Sequence, residues 1–85
     1  MAALDGNAIA GLLDEVFGIE LTTATTVCAS CRATRPLAEL AVYLHAPGVV
    51  VRCRACDSVL MVLVTAARAT CVDLRGLAVL EPAAQ

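Results

Sequence analysis

Apolar residues near the start of the chain recur at helical spacing. Ile9, Leu12, Leu13, Val16 and Phe17 fall on one stripe of a helix running from Leu4 to Gly18. Asp5 or Asn7 supplies a cap at its start, and Gly18 suits a left-handed turn at its end. Gly6 and Gly11 weaken it as an isolated unit, so the helix needs a surface to pack on. Beyond it the pattern becomes that of strands. Leu21 to Val27, rich in Thr, reads as a strand, and Arg32 to Pro36 as a polar turn. Glu39 to His45 alternates, with Leu40, Val42 and Leu44 on one face and Tyr43 and His45 on the other. Ala46-Pro47-Gly48 carries turn chemistry, and Val49 to Arg52 returns as the second arm of a hairpin.

Val59 to Thr65 is apolar on both faces, which predicts a central strand covered on both sides, by the helix and by a partner subunit. Ala66 to Ala69 reads as a turn. Thr70 to Leu80 reads as a last strand with a bulge or bend at Gly76, because the alternation changes phase there. The tail from Glu81 to Gln85 is expected to fray. These elements predict a small α+β domain over residues 1–85, with an N-terminal helix over 1–18 and an antiparallel sheet over 21–80.

Two knuckle-like motifs interrupt this pattern. Cys28-Ala29-Ser30-Cys31 and Cys53-Arg54-Ala55-Cys56 are Cys-x-x-Cys pairs separated by 21 residues. Two intervening residues let both sulfurs of a pair turn toward one point. Two pairs supply four thiolates, the complement of a closed tetrahedral zinc site. Cys28, Cys31, Cys53 and Cys56 are therefore the candidate ligands of one structural zinc ion. Iron held in the same way, as in rubredoxins, is the competing reading, but rubredoxins pack aromatics beside the metal. This chain has one Tyr, one Phe and no Trp. A redox dithiol needs one exposed pair of low pKa and fits two pairs less well.

Composition sharpens the expectation. Eighty-five residues form one domain at most, and so small a domain is marginal without a staple such as a metal. Hydrophobic residues make up 60% of the chain, mostly Ala, Val and Leu. One small core hardly hides that much apolar surface, which predicts self-association or a protein partner. The formal net charge is −2, and a dication held by four thiolates takes it to about −4. That disfavours broad binding to nucleic acid or anionic membrane. The longest apolar run, Val59 to Val64, falls far short of the ~20 residues of a bilayer span. The start lacks a basic region followed by a long apolar run, and paired Cys-x-x-Cys motifs fit a reducing compartment, so a cytoplasmic location is expected.

The remaining polar residues point to no enzyme. The one histidine, His45, reads as a solvated side chain at a strand end. Four arginines (Arg32, Arg35, Arg52 and Arg54) lie near the knuckles, and Arg52 and Arg54 share a face if the segment is extended. They read first as compensation for the negative metal cluster, and second as a phosphate-binding patch for nucleic acid or for transcription or translation machinery. The odd cysteine, Cys71, reads as a small structural residue, with an exposed thiol as the alternative. Asp73 and Arg75 are placed to pair. No Ser-His-Asp set, phosphate loop or carboxylate pair stands out.

The cysteine arrangement from Thr26 to Leu63 resembles a zinc ribbon. Ribbons often place Gly after the second cysteine of a knuckle, where Arg32 and Asp57 stand here, so the first knuckle is expected to be the less regular. With Leu4-Asp5-Gly6-Asn7-Ala8 near the start and Asp73-Leu74-Arg75-Gly76 near the end, the whole chain resembles a family of small uncharacterised actinobacterial zinc-ribbon proteins. That resemblance implies a metal ribbon and a bacterial cytosolic origin, and an accessory subunit of a redox enzyme as a further alternative. The leading expectation is a non-enzymatic structural zinc ribbon that binds another protein or itself.

Overall fold

In the computed structural model, which describes residues 4–45, 48–66 and 69–83, one helix and eight strands follow in order. Strand β1 (Leu4–Asp5) leads through a 3-10 turn (Gly6–Ile9) into helix α1 (Ala10–Phe17). Strands β2 (Thr25–Cys28) and β3 (Thr34–Pro36) form a hairpin around the first cysteine pair. A second 3-10 turn (Leu37–Glu39) precedes β4 (Ala41–His45), β5 (Gly48–Arg52), β6 (Val59–Ala66), β7 (Ala69–Asp73) and β8 (Leu77–Glu81). All pairings are antiparallel. They build a five-stranded sheet in the order β1-β4-β5-β6-β7 and a three-stranded sheet in the order β3-β2-β8.

The α+β class matches the expectation, but the single ribbon sheet resolves into two sheets. The core lies between them and under α1. It joins Leu13 of the helix, Val42, Val51, Met61 and Leu63 of the larger sheet, and Leu37 and Leu40 between the sheets. Leu12, Val16 and Phe17 pack at its margin, as the stripe predicts. Pairing partners in a sheet share a face. Val42–Val51–Met61 therefore point inward, and Tyr43–Val50–Val62 point outward. Tyr43, Val50, Val62 and Val64 are half-buried and stand outside the core. Only one face of β6 is thus fully buried, although the strand is central as expected. Leu44, on the inward face, lies beyond the core's edge and is 54% exposed.

Several local expectations are corrected. The helix begins at Ala10, not Leu4. At Gly6 a Cβ would meet the Leu37 carbonyl oxygen at 2.0 Å, so the first turn presses against the second 3-10 turn. The Asp5 carboxylate accepts from the Asn7 N–H and holds the 3-10 form. Gly18 does end the helix in the left-handed region, at φ 74°. Leu21 to Ala24 is a turn, where the Glu20 carboxylate accepts from Thr22 and Thr23 and has its pKa lowered, chiefly by the Thr22 hydroxyl. The segment read as a polar turn contains β3, which pairs with β2 because the intervening knuckle reverses the chain. The turn at Ala46-Pro47-Gly48, that between Ala66 and Ala69, and the end of the tail fall wholly or partly outside the described residues.

The last predicted strand is two strands in different sheets. Asp73 accepts from the Arg75 N–H and guanidinium, so Leu74 to Gly76 turn away from the larger sheet. That guanidinium holds the Asp73 carboxyl at about 2, below its ordinary value. Gly76 then passes so near β6 that a Cβ would lie 2.0 Å from the Val59 carbonyl oxygen and 2.5 Å from the Leu60 Cα. Only glycine allows that backbone approach. Gly76→Ala is expected to destabilise the protein by about 1–3 kcal/mol, since the clash is with backbone. Gly11→Ala, where nothing lies within 4 Å, is expected to stabilise it by about 0.5–1 kcal/mol. Denaturant midpoints of the two variants, measured side by side, check both signs.

Candidate metal centre

Each cysteine pair sits just beyond a β-bulge. Register shifts between Val27 and Cys28 against β8, and between Val51 and Arg52 against β6. A bulge bends and twists its strand. The two bends aim the strand ends at each other across the sheets. The turns that follow are built alike. The Cys28 N–H donates to Ala33 O (3.0 Å), and the Arg32 N–H to Cys28 O (2.9 Å). In the second turn the Cys53 N–H donates to Ser58 O (2.9 Å), and the Asp57 N–H to Cys53 O (2.9 Å). The Cys31 N–H points at Cys28 Sγ (3.5 Å) and the Ala55 N–H at Cys53 Sγ (3.4 Å).

The four sulfurs Cys28, Cys31, Cys53 and Cys56 all lie within 4.8 Å of one another. Cys28 approaches Cys56, and Cys31 approaches Cys53, at 3.6 Å. A tetrahedron of sulfurs with metal–sulfur bonds of ~2.3 Å has edges of ~3.8 Å, so the cluster has the size one ion needs. Cys28 and Cys53 are buried, while Cys31 and Cys56 are exposed. The thiols divide unequally as acids. At Cys31 the Ala33 N–H favours ionisation, but desolvation and the Cys56, Cys53 and Cys28 sulfurs outweigh it and push the thiol up to about 12. At Cys56 the Ser58 hydroxyl, 3.2 Å from the sulfur, and its backbone bring the thiol down to about 6. A divalent cation would remove this inequality, because it would hold every ligand sulfur as thiolate.

The left-handed residues are those flagged by the missing glycines. Arg32 (φ 64°) and Asp57 (φ 62°) both adopt the positive angle. The first knuckle is therefore as regular as the second, contrary to expectation; the loop bonds impose the angle on Arg32 despite its side chain. Asp57 is steadied by Arg52, which donates to its carbonyl (2.8 Å) and lies 3.7 Å from its carboxylate.

Arg54 and Arg35, also near the knuckles, have structural partners. Arg54 donates to Glu39 O (2.6 Å) and Leu4 O (3.4 Å), fastening the second knuckle to the N-terminal segment. Arg52 and Arg54 thus diverge and do not share a face, because the knuckle leaves extended geometry at Cys53. Arg35 lies 3.7 Å from Glu39. Two contributors were hidden in the sequence. Ser58 gave no signal, and Gly76, legible only as a bend, accepts the Ala29 N–H at 3.0 Å and supports the first knuckle. Cys71 lies apart, exposed on β7, and is no core residue. Of His45 only its place in β4 is described.

The family model described as a family of unknown function (DUF6510) matches residues 1–85, and the chain belongs to that family. No curated protein and no solved structure matches the chain. Among the described residues, no helix is long and apolar enough to cross a membrane.

Arg32→Gly is expected to stabilise the protein by about 1 kcal/mol, since a side chain in the left-handed region costs about 1–2 kcal/mol, partly offset by the chain entropy of glycine. Asp57→Gly is expected to gain less, because Arg52 loses a carboxylate partner. Denaturant titration at fixed metal concentration checks the order.

Proposed function

We propose that this member of the DUF6510 family is a non-enzymatic zinc-ribbon-like module of the cytoplasm, whose metal is structural and which acts by binding another protein or itself. The observation that carries the reading is the convergence of four cysteine sulfurs within 4.8 Å, on two matching knuckles that belong to different sheets. Four thiolates suit zinc by softness and fill a tetrahedral shell, leaving no position for a substrate or a catalytic water. The residues that would hold the ion are Cys28, Cys31, Cys53 and Cys56. What the ion would supply is a link between the sheets.

The arginine contacts favour this reading over nucleic-acid binding. Arg52 and Arg54, the side chains best placed by sequence for phosphate, spend their donors on Asp57, Glu39 and Leu4. The half-buried outward row Tyr43–Val50–Val62 favours a protein partner.

Native mass spectrometry of protein purified from its own host tests the proposal. The expected result is one zinc per chain in a colourless protein, with self-association or a co-purifying protein. A red, iron-loaded protein would overturn the zinc assignment and favour electron transfer. RNA or DNA binding that Arg52→Ala and Arg54→Ala abolish would overturn the protein-partner reading. Cys28→Ser or Cys53→Ser is expected to abolish metal retention and cooperative unfolding together, read by metal content and circular dichroism.

A further inference from the structure

The outer edge of the five-stranded sheet differs from the protein's other edges. Strand β1 has two residues and is held by Arg54, and β3 has three and ends in Pro36. Strand β8 ends in Glu81 and is followed by Pro82. Short length, charge and proline are the usual devices that keep an edge from pairing with another chain. Strand β7 is five residues long, Ala69-Thr70-Cys71-Val72-Asp73, with no proline and one charge at its end. Ala69 to Val72 are exposed, and no described strand lies beyond β7. Its outward N–H and C=O groups form an open template.

We propose that β7 pairs antiparallel with β7 of a second copy of this chain about a two-fold axis at Cys71. This deepens the proposed protein-binding role and rests on that reading. Three observations select a second copy. The strand's midpoint is Cys71, so symmetric pairing sets Cys71 opposite Cys71, Thr70 opposite Val72 and Ala69 opposite Asp73. That register is charge-compatible. Each Asp73, already paired with its own Arg75 at 2.7 Å, meets an alanine and not a like charge. Pairing also continues the outward faces, where Val64 partners Cys71 and Val62 partners Asp73, across one ten-stranded sheet. A five-residue edge buries little area, so the dimer is a weak, concentration-dependent one.

Directly opposed residues of an antiparallel pair have Cα atoms about 4.5–5.5 Å apart, within the reach of a disulfide. Diamide treatment of the metal-loaded full chain, followed by peptide mapping, is the test. Two Cys71 thiols lose two protons and two electrons to diamide, which becomes the hydrazine, and a Cys71–Cys71 bond forms. The expected result is a covalent dimer linked through Cys71 and lost in Cys71→Ser. Thr70→Cys in the Cys71→Ser background is expected to give none, because two copies of position 70 lie ~8 Å apart, beyond bridging range. Thr70→Lys with Val72→Lys sets like charges opposite each other across the axis. It is expected to shift sedimentation equilibrium to monomer with the melting temperature unchanged. A metal-loaded protein that stays monomeric at high concentration and forms no Cys71 link would overturn the pairing while leaving the metal module standing. A dimer that persists in the double lysine variant would overturn it too. A chain that folds without metal would instead defeat the proposed function, whatever its oligomeric state.

Discussion

The arrangement of this protein depends on one junction, four cysteine sulfurs gathered where two sheets meet. The first pair ends β2 in the three-stranded sheet; the second follows β5 in the five-stranded sheet. Without a cation, four sulfurs within 4.8 Å are an awkward group, and the Cys31 thiol is pushed up while the Cys56 thiol is brought down. With one, the same crowding becomes a bond network between sheets. Zinc binding worth on the order of 10–16 kcal/mol in small finger peptides exceeds what a core of this size supplies alone.

Backbone contacts reinforce the junction. Gly76 lets the chain cross from one sheet to the other against Val59 and offers its carbonyl to the first knuckle. Gly6 seats the N-terminal turn against Leu37, and Arg54 ties that segment to the second knuckle. Arg52 braces Asp57 in the left-handed region. Arg52 and Arg54 therefore act first as struts. The surface with most left to offer is the outward side of the larger sheet and its β7 edge.

Residue patterns made the cysteine cluster, the helix stripe and the strands β4, β5 and β6 legible, because each rests on local spacing. The Cys-x-x-Cys spacing encodes its own turn, and Leu12, Leu13, Val16 and Phe17 mark their own face. What stayed hidden was non-local. Nothing near Gly76 announces that Val59 and Leu60 will lie against it, so one strand with a bend was the natural reading of two strands in two sheets. Likewise Thr34 to Pro36 becomes a strand only because the knuckle folds it onto β2. Arg32 shows the reverse effect, since the hydrogen bonds of a ligand loop override a side chain's own backbone preference.

Amide hydrogen exchange with and without a strong chelator tests most directly whether the sulfur junction holds the two sheets together. The account predicts that chelation removes protection from β2 in the smaller sheet and from β5 and β6 in the larger one together, with loss of cooperative melting. Retained protection in β4, β5 and β6 after complete metal removal would contradict it, showing that the larger sheet stands without the junction.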